Sequence, residues 1–184
     1  MVAKHARLHD VCALLAALIV IGLDQWTKAL VMENLSPPGS KPDISLLGPY
    51  LVVQYIQNNG AAFSLFANST LLIILISAAI AVVVYMYARL INTGPAIYKI
   101  ILGLIVGGAV GNLVDRARHS GYVVDFLAFR IPQINYRFAI FNVADAFISV
   151  SVVLLFFLVL LGGWRQNEGE QKTTEQQQTE VVKK

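Results

Sequence analysis

The chain has 184 residues, of which 57% are hydrophobic and 14% charged, with a mean hydropathy of +0.64; soluble domains carry about 25% charged residues, so water is not its main solvent. The formal net charge of +3 is spread along the sequence with no Lys/Arg block interleaved with aromatics, which sets nucleic-acid binding aside. The length suits one compact domain rather than two, and the composition suits a bilayer, where a spanning helix takes about 20 mostly apolar residues.

Lys4 and Arg7 precede an apolar run, as in a secretory signal peptide. The run continues past Asp24–Lys28 to Met32 without a small-residue cleavage site, so it predicts a retained first helix over about 11–32. Cys12, the single cysteine, lies inside this run. It has no partner for an internal disulfide, and the residues before it are not the apolar stretch of a lipidation site; it reads as a small buried hydrophobe. Ser36-Pro37-Pro38-Gly39 stops the helix. Tyr50 to Gln57 is a β-branched and aromatic run closed by Asn58-Asn59-Gly60, which predicts a strand and a turn. Residues 70–90 are almost uniformly apolar and predict a second helix, joined by the short Asn92-Thr93-Gly94-Pro95 link to a third over about 96–114. In that third segment Gly103, Gly107 and Gly111 recur every four residues beside Gly108 and Ala109, a spacing that lets helices approach closely in lipid. Across 115–140 the stretch Tyr122 to Phe126 is strand-like and Pro132 falls in a loop. A fourth apolar segment runs over about 141–161, and the polar tail, 166–184, reads as a disordered extension. Backbone groups in lipid must be satisfied within their own segment, so the four apolar runs are helices.

Four spans put the connections 33–69 and 115–140 on one side and both termini on the other. The side of the termini holds eight basic residues (Lys4, Arg7, Arg89, Lys99, Arg165, Lys172, Lys183, Lys184) against six (Lys28, Lys41, Arg116, Arg118, Arg130, Arg137). This small excess points to cytoplasmic termini.

Charge near a bilayer centre costs about 2.5–3.5 kcal/mol on insertion scales, so such residues need partners or a purpose. Asp24 and Lys28 share a helical face and can pair. Asn112 and Asp115 share another, beside Arg116, which can snorkel or neutralise an acid. Asn142 and Asp145 open the fourth segment, and Asp125 stands between Val124 and Phe126. Each has a plain structural reading, as an ion pair or a solvated loop carboxylate. Two close carboxyl groups in an apolar site cannot both ionise easily, so they share a proton. One can then act as general base on a water and the other as general acid to a leaving amine. That chemistry needs no metal, cofactor or side-chain nucleophile. It asks for one carboxylate from a loop and one from a helix start, as Asp125 and Asp145 would supply. His5, His9 and His119 are scattered and there is no Cys/His cluster for zinc. No Gly-x-Ser-x-Gly elbow occurs, and spacing singles out no serine to pair with Lys28.

Five stretches, in order, are Asp24-Gln25-Trp26-Thr27-Lys28, Asn58-Asn59-Gly60-Ala61-Ala62-Phe63, Gly107 to Arg116, Val123-Val124-Asp125-Phe126 and Phe141-Asn142-Val143-Ala144-Asp145. Together they resemble the five boxes of the bacterial lipoprotein signal peptidase (signal peptidase II) family. The resemblance implies an aspartyl peptidase of the bacterial inner membrane, with both long loops periplasmic. It implies cleavage of diacylglyceryl-modified prolipoproteins just before the lipidated cysteine, and inhibition by globomycin. Asp125 and Asp145 match the catalytic aspartates. Asn58, Gly60, Gly108, Asn112, Arg116, Asn142 and Ala144 match other site-lining positions, and Asp24, Lys28 and Asp115 match supporting ones. The expected fold is all-α integral membrane: four transmembrane helices, a small extramembrane β-sheet within 40–66 and 117–140, and a periplasmic loop or helix. A single peptidase domain over 1–165 working as a monomer among membrane lipids completes the expectation. The alternatives are a small transporter or proton relay, since buried acids also mark ion paths, and a non-catalytic scaffold. The first would require repeats or broken helices, which the four segments lack; the second leaves the buried acids unexplained.

Overall fold

A computed structural model of the chain describes residues 2–60 and 96–161, with isolated positions 74, 77, 78, 81 and 85 between them. Those five are helical; the remainder of the predicted 70–90 helix, the Asn92–Pro95 link, Ala61–Phe63 of the second box and the tail lie outside the described residues. Three helices among the described residues are long and apolar enough to cross a membrane. α1 spans Val2–Leu35, α2 spans Ala96–Arg118 and α3 spans Val143–Leu161.

The buried stripe of α1 reads Ala13, Ala17, Val20, Asp24, Lys28, Val31, Leu35, steps of three and four that trace one helical face. Leu14, Leu15, Leu18 and Ile19 are exposed instead. Large apolar side chains outside and small or polar ones inside is the pattern of a helix solvated by lipid.

α1 and α2 run parallel. Lys99 meets Asp10 at one end of the pair, at 2.6 Å, and Lys28 meets Asp115 at the other, at 2.8 Å. Between them the glycine row of α2 lies against α1. A Cβ on Gly107 would stand 2.7 Å from the Ala17 carbonyl oxygen, a backbone atom that cannot swing aside. α3 runs antiparallel to α2: Gly108 faces Ala144 and Ile148, and the Tyr98 hydroxyl donates to the Leu158 carbonyl at 3.5 Å.

At the end of the bundle where α1 and α2 finish stands a four-stranded antiparallel sheet in the order β1-β2-β3-β4. Its strands are β1 Ile44–Leu47, β2 Leu51–Asn58, β3 Val123–Ile131 and β4 Tyr136–Arg137. Val31 and Leu35 from the last turns of α1 form its core with Tyr55, Val124 and Phe126, so sheet and bundle share one apolar seam.

The all-α expectation is therefore corrected. Strands of eight and nine residues, β2 and β3, make the sheet a main element. Boundaries shift as well. α1 begins at Val2 rather than near 11, and α2 continues to Arg118 rather than ending at 114. α3 begins at Val143 rather than 141, because Phe141 is taken up by a β-bridge to Leu127. Pro132 opens a single 3-10 turn, Pro132–Ile134.

Candidate active site

The two acids singled out by sequence come from different elements that the fold joins. Asp125 lies on β3. In the β2–β3 register Ile56 faces Asp125 and Val53 faces Leu127, so Gln54 and Tyr55 together stand opposite Phe126. This is a β-bulge, which bends a strand and re-aims its side chains. Two residues beyond Ile56, Asn58 reaches diagonally across the pair and its Nδ2 donates to Asp125 Oδ2 at 2.8 Å. The amide is oriented by its own turn: Gly60 N–H donates to Asn58 Oδ1 at 2.8 Å. Gly60 has φ +83°, a conformation that suits glycine.

Phe141 pairs with Leu127, each N–H donating to the other's carbonyl, at 3.1 and 2.8 Å. This bridge sets the start of α3 beside Asp125. Asn142 then caps the helix. Its Oδ1 accepts the Asp145 backbone N–H at 2.9 Å, and Asp145 Oδ2 accepts the Asn142 N–H at 3.3 Å. This reciprocal pair is a capping box with aspartate in the glutamate role. Asn142 Nδ2 donates to Asp125 Oδ1 at 2.7 Å, so one asparagine holds both carboxylate-bearing residues. Asp145 Oδ1 accepts from Asn112 Nδ2 at 2.8 Å.

The two environments differ. Asp125 is 2% exposed, whereas Asp145 is half-buried. Burial pushes the Asp125 carboxyl up to about 6, opposed by the Asn58 hydrogen bond, raised further by the charge of Asp145 and opposed again by Asn142 and Lys28. A carboxyl group held above the usual carboxylate range beside a second carboxylate is suited to proton transfer.

Beneath this layer lies a buried ionic one. Lys28 Nζ stands 2.8 Å from both Asp24 and Asp115 and donates to Asn112 Oδ1 at 2.9 Å. Asp24 Oδ1 accepts the Ala144 N–H at 3.0 Å, and Asp115 Oδ2 accepts the Val124 N–H at 3.0 Å. Ala144 is fully buried, and a Cβ on Gly108 would meet its carbonyl oxygen at 2.7 Å, so both positions need small residues. Arg116 Nη1 donates to the Asn112 carbonyl at 3.2 Å and acts electrostatically on Asp145, Asp125 and Asp115.

All twelve residues expected at the site thus converge at this end of the bundle. Sequence reasoning left out Gln25, whose Nε2 donates to Asp115 Oδ1 at 2.9 Å and to Asp24 Oδ2 and the Gly111 carbonyl at 3.2 Å. An amide at membrane depth beside a charged residue is the signal that could have found it.

An integral membrane protein with a carboxylate pair at the mouth of its helices is the class that these features define. A solved bacterial membrane enzyme is similar to it, with a TM-score of 0.71 and 27% identity over 80% of this chain and 92% of that one. The lipoprotein signal peptidase of Caldanaerobacter subterraneus is 38% identical over 151 residues, 82% of this chain and 97% of its own. That of Mesorhizobium japonicum is 41% identical over 160 residues, 86% of this chain and 90% of its own. The profile of the family described as signal peptidase (SPase) II matches residues 16–161. The chain belongs to the signal peptidase II family: it is a bacterial integral membrane peptidase, and a transporter or proton relay is not favoured.

Proposed function

We propose that this chain removes signal peptides from prolipoproteins whose lipobox cysteine already carries a diacylglyceryl group, cutting just before that cysteine, with Asp125 and Asp145 as the catalytic pair. The observation that carries the catalytic assignment is Asn142, which accepts from the Asp145 backbone through Oδ1 and donates to Asp125 through Nδ2. The ionised member of the pair takes a proton from water, whose oxygen attacks the scissile carbonyl. The protonated member gives its proton to the leaving amine, and the C–N bond breaks. The second product keeps the lipidated cysteine as its new N-terminus. Asn58, Gly60, Gly108, Asn112, Arg116, Asn142 and Ala144 line or shape the site; Asp24, Lys28 and Asp115 support it.

The parallel run of α1 and α2 supports a four-span topology, because the connecting chain must return to the end where α2 starts. In that topology both termini are cytoplasmic and the site lies near the periplasmic face of the inner membrane. Residues 1–165 form one domain that acts as a monomer among membrane lipids, the tail is dispensable, and globomycin inhibits. The test uses purified full-length protein in lipid with a prolipoprotein, diacylglyceryl-modified or unmodified. Mass spectrometry should find a product starting at the lipidated cysteine from the modified substrate alone. Equal cleavage of the unmodified form would refute the substrate assignment.

A further inference from the structure

Each aspartate of the pair follows a residue whose backbone N–H is held by a carboxylate from α1 or α2. Ala144, before Asp145, donates to Asp24 Oδ1 at 3.0 Å; Val124, before Asp125, donates to Asp115 Oδ2 at 3.0 Å. Those two carboxylates meet on one ammonium, at 2.8 Å each. Asp24, Lys28 and Asp115 are 0%, 1% and 0% exposed. The third Lys28 contact, to Asn112 Oδ1 at 2.9 Å, continues to the Asp145 side chain through Asn112 Nδ2 at 2.8 Å.

We infer that Asp24, Lys28 and Asp115 form a carboxylate–ammonium–carboxylate bridge that sets the separation of Asp125 and Asp145. They are positioning residues for the peptidase reaction. The inference rests on the reading of Asp125 and Asp145 as the catalytic pair.

Stability alone does not account for this arrangement. Buried ion pairs are often matched or bettered by apolar residues of similar volume, and the close packing of α1 on α2 already comes from the glycine row. Two carboxylates on one ammonium also leave an excess negative charge, which Gln25 Nε2 and two backbone N–H groups help to satisfy. What the bridge supplies is a fixed span between the chain just before Asp125 and the chain just before Asp145. Misplacement of reacting groups by about 1 Å can cost about 100-fold in rate. At the far end of the same helix pair Lys99 is equally buried and meets Asp10 at 2.6 Å, far from both aspartates. It is the natural control.

The triple variant Lys28→Met, Asp24→Asn, Asp115→Asn removes the bridging charges but keeps an oxygen acceptor opposite each N–H. The single variant Asp24→Asn leaves Lys28 and Asp115 as a balanced pair and guards against loss of folding in the triple. Cleavage of the lipidated prolipoprotein by full-length protein in lipid should show kcat falling about 10- to 100-fold in the triple and several-fold in Asp24→Asn. KM should stay within about twofold. The two limbs of the pH–rate profile should move closer together, because carboxylates that drift apart couple less. Lys99→Met should lower the melting temperature and leave kcat and the pH profile in place. Unchanged kcat and pH profile in the triple, or in Asp24→Asn if the triple does not fold, would overturn the bridge, as would the same changes in Lys99→Met. A wild type that does not cleave would instead defeat the peptidase reading itself.

Discussion

Asp125 shows how opposing local effects set the behaviour of one group. Its carboxyl, pushed from 3.8 to about 6, is raised most by burial, and Asn58 pulls against that by donating to the ionised form. The native state holds this proton more tightly than the unfolded chain. Between about 4 and about 6, therefore, this group's contribution makes stability fall as pH rises, and above that window it changes no further. Two substitutions should move the group in opposite directions. Asp145→Asn removes a neighbouring negative charge and should lower the Asp125 value, whereas Asn58→Ala removes a donor to the carboxylate and should raise it. Infrared titration of the carboxyl band would check both shifts. A value unmoved by either change would contradict the electrostatics described for the site.

At the scale of elements, contacts between helices decide what the glycines do. A Cβ on Gly107 meets Ala17 backbone, while one on Gly108 meets the Ala144 carbonyl and Ile148 at 2.7 Å. Both Gly107→Ala and Gly108→Ala should lower the melting temperature by several degrees, the effect of about 1–3 kcal/mol of overpacking. Only Gly108→Ala pushes on the first turns of α3, so it should also reduce kcat about 10-fold or more. Melting curves and kcat measured together separate the two; equal kcat losses would remove the distinction. Much of this was legible in the sequence. The glycine row declared a helix contact, the acids and amides declared a site, and Tyr50–Gln57 declared β2. β1 was not legible as a strand, because Ile44–Leu47 is short and its exposed face gives no alternation to read. The start of α3 at Val143 falls close to the expected 141, but that Phe141 itself bridges to Leu127 of β3 is a long-range pairing that apolar periodicity does not encode. Gln25 was passed over because its partners Asp115 and Gly111 lie some ninety positions away in the chain.

For the whole molecule, the distribution of polarity is the governing fact. Large apolar side chains face outward along α1 and α3 while Asp24, Lys28, Lys99, Asn112, Asp115 and Asn142 are buried, the inverse of a water-soluble protein. Lipid supplies no hydrogen bonds, so each buried polar group must find its partner within the protein. Lys28, Asp24, Asp115, Asn112 and Asn142 beneath the pair meet that requirement through one another, whereas Arg116 Nε is buried without a hydrogen-bond partner among the described residues. The central claim is that these two carboxylates perform the cleavage. The direct measurement is the rate at which purified Asp125→Asn and Asp145→Asn proteins, shown by melting to be folded, process a lipidated prolipoprotein beside the wild type. The account predicts that each single variant loses at least about 100-fold in rate. Wild-type processing by either folded variant would contradict it.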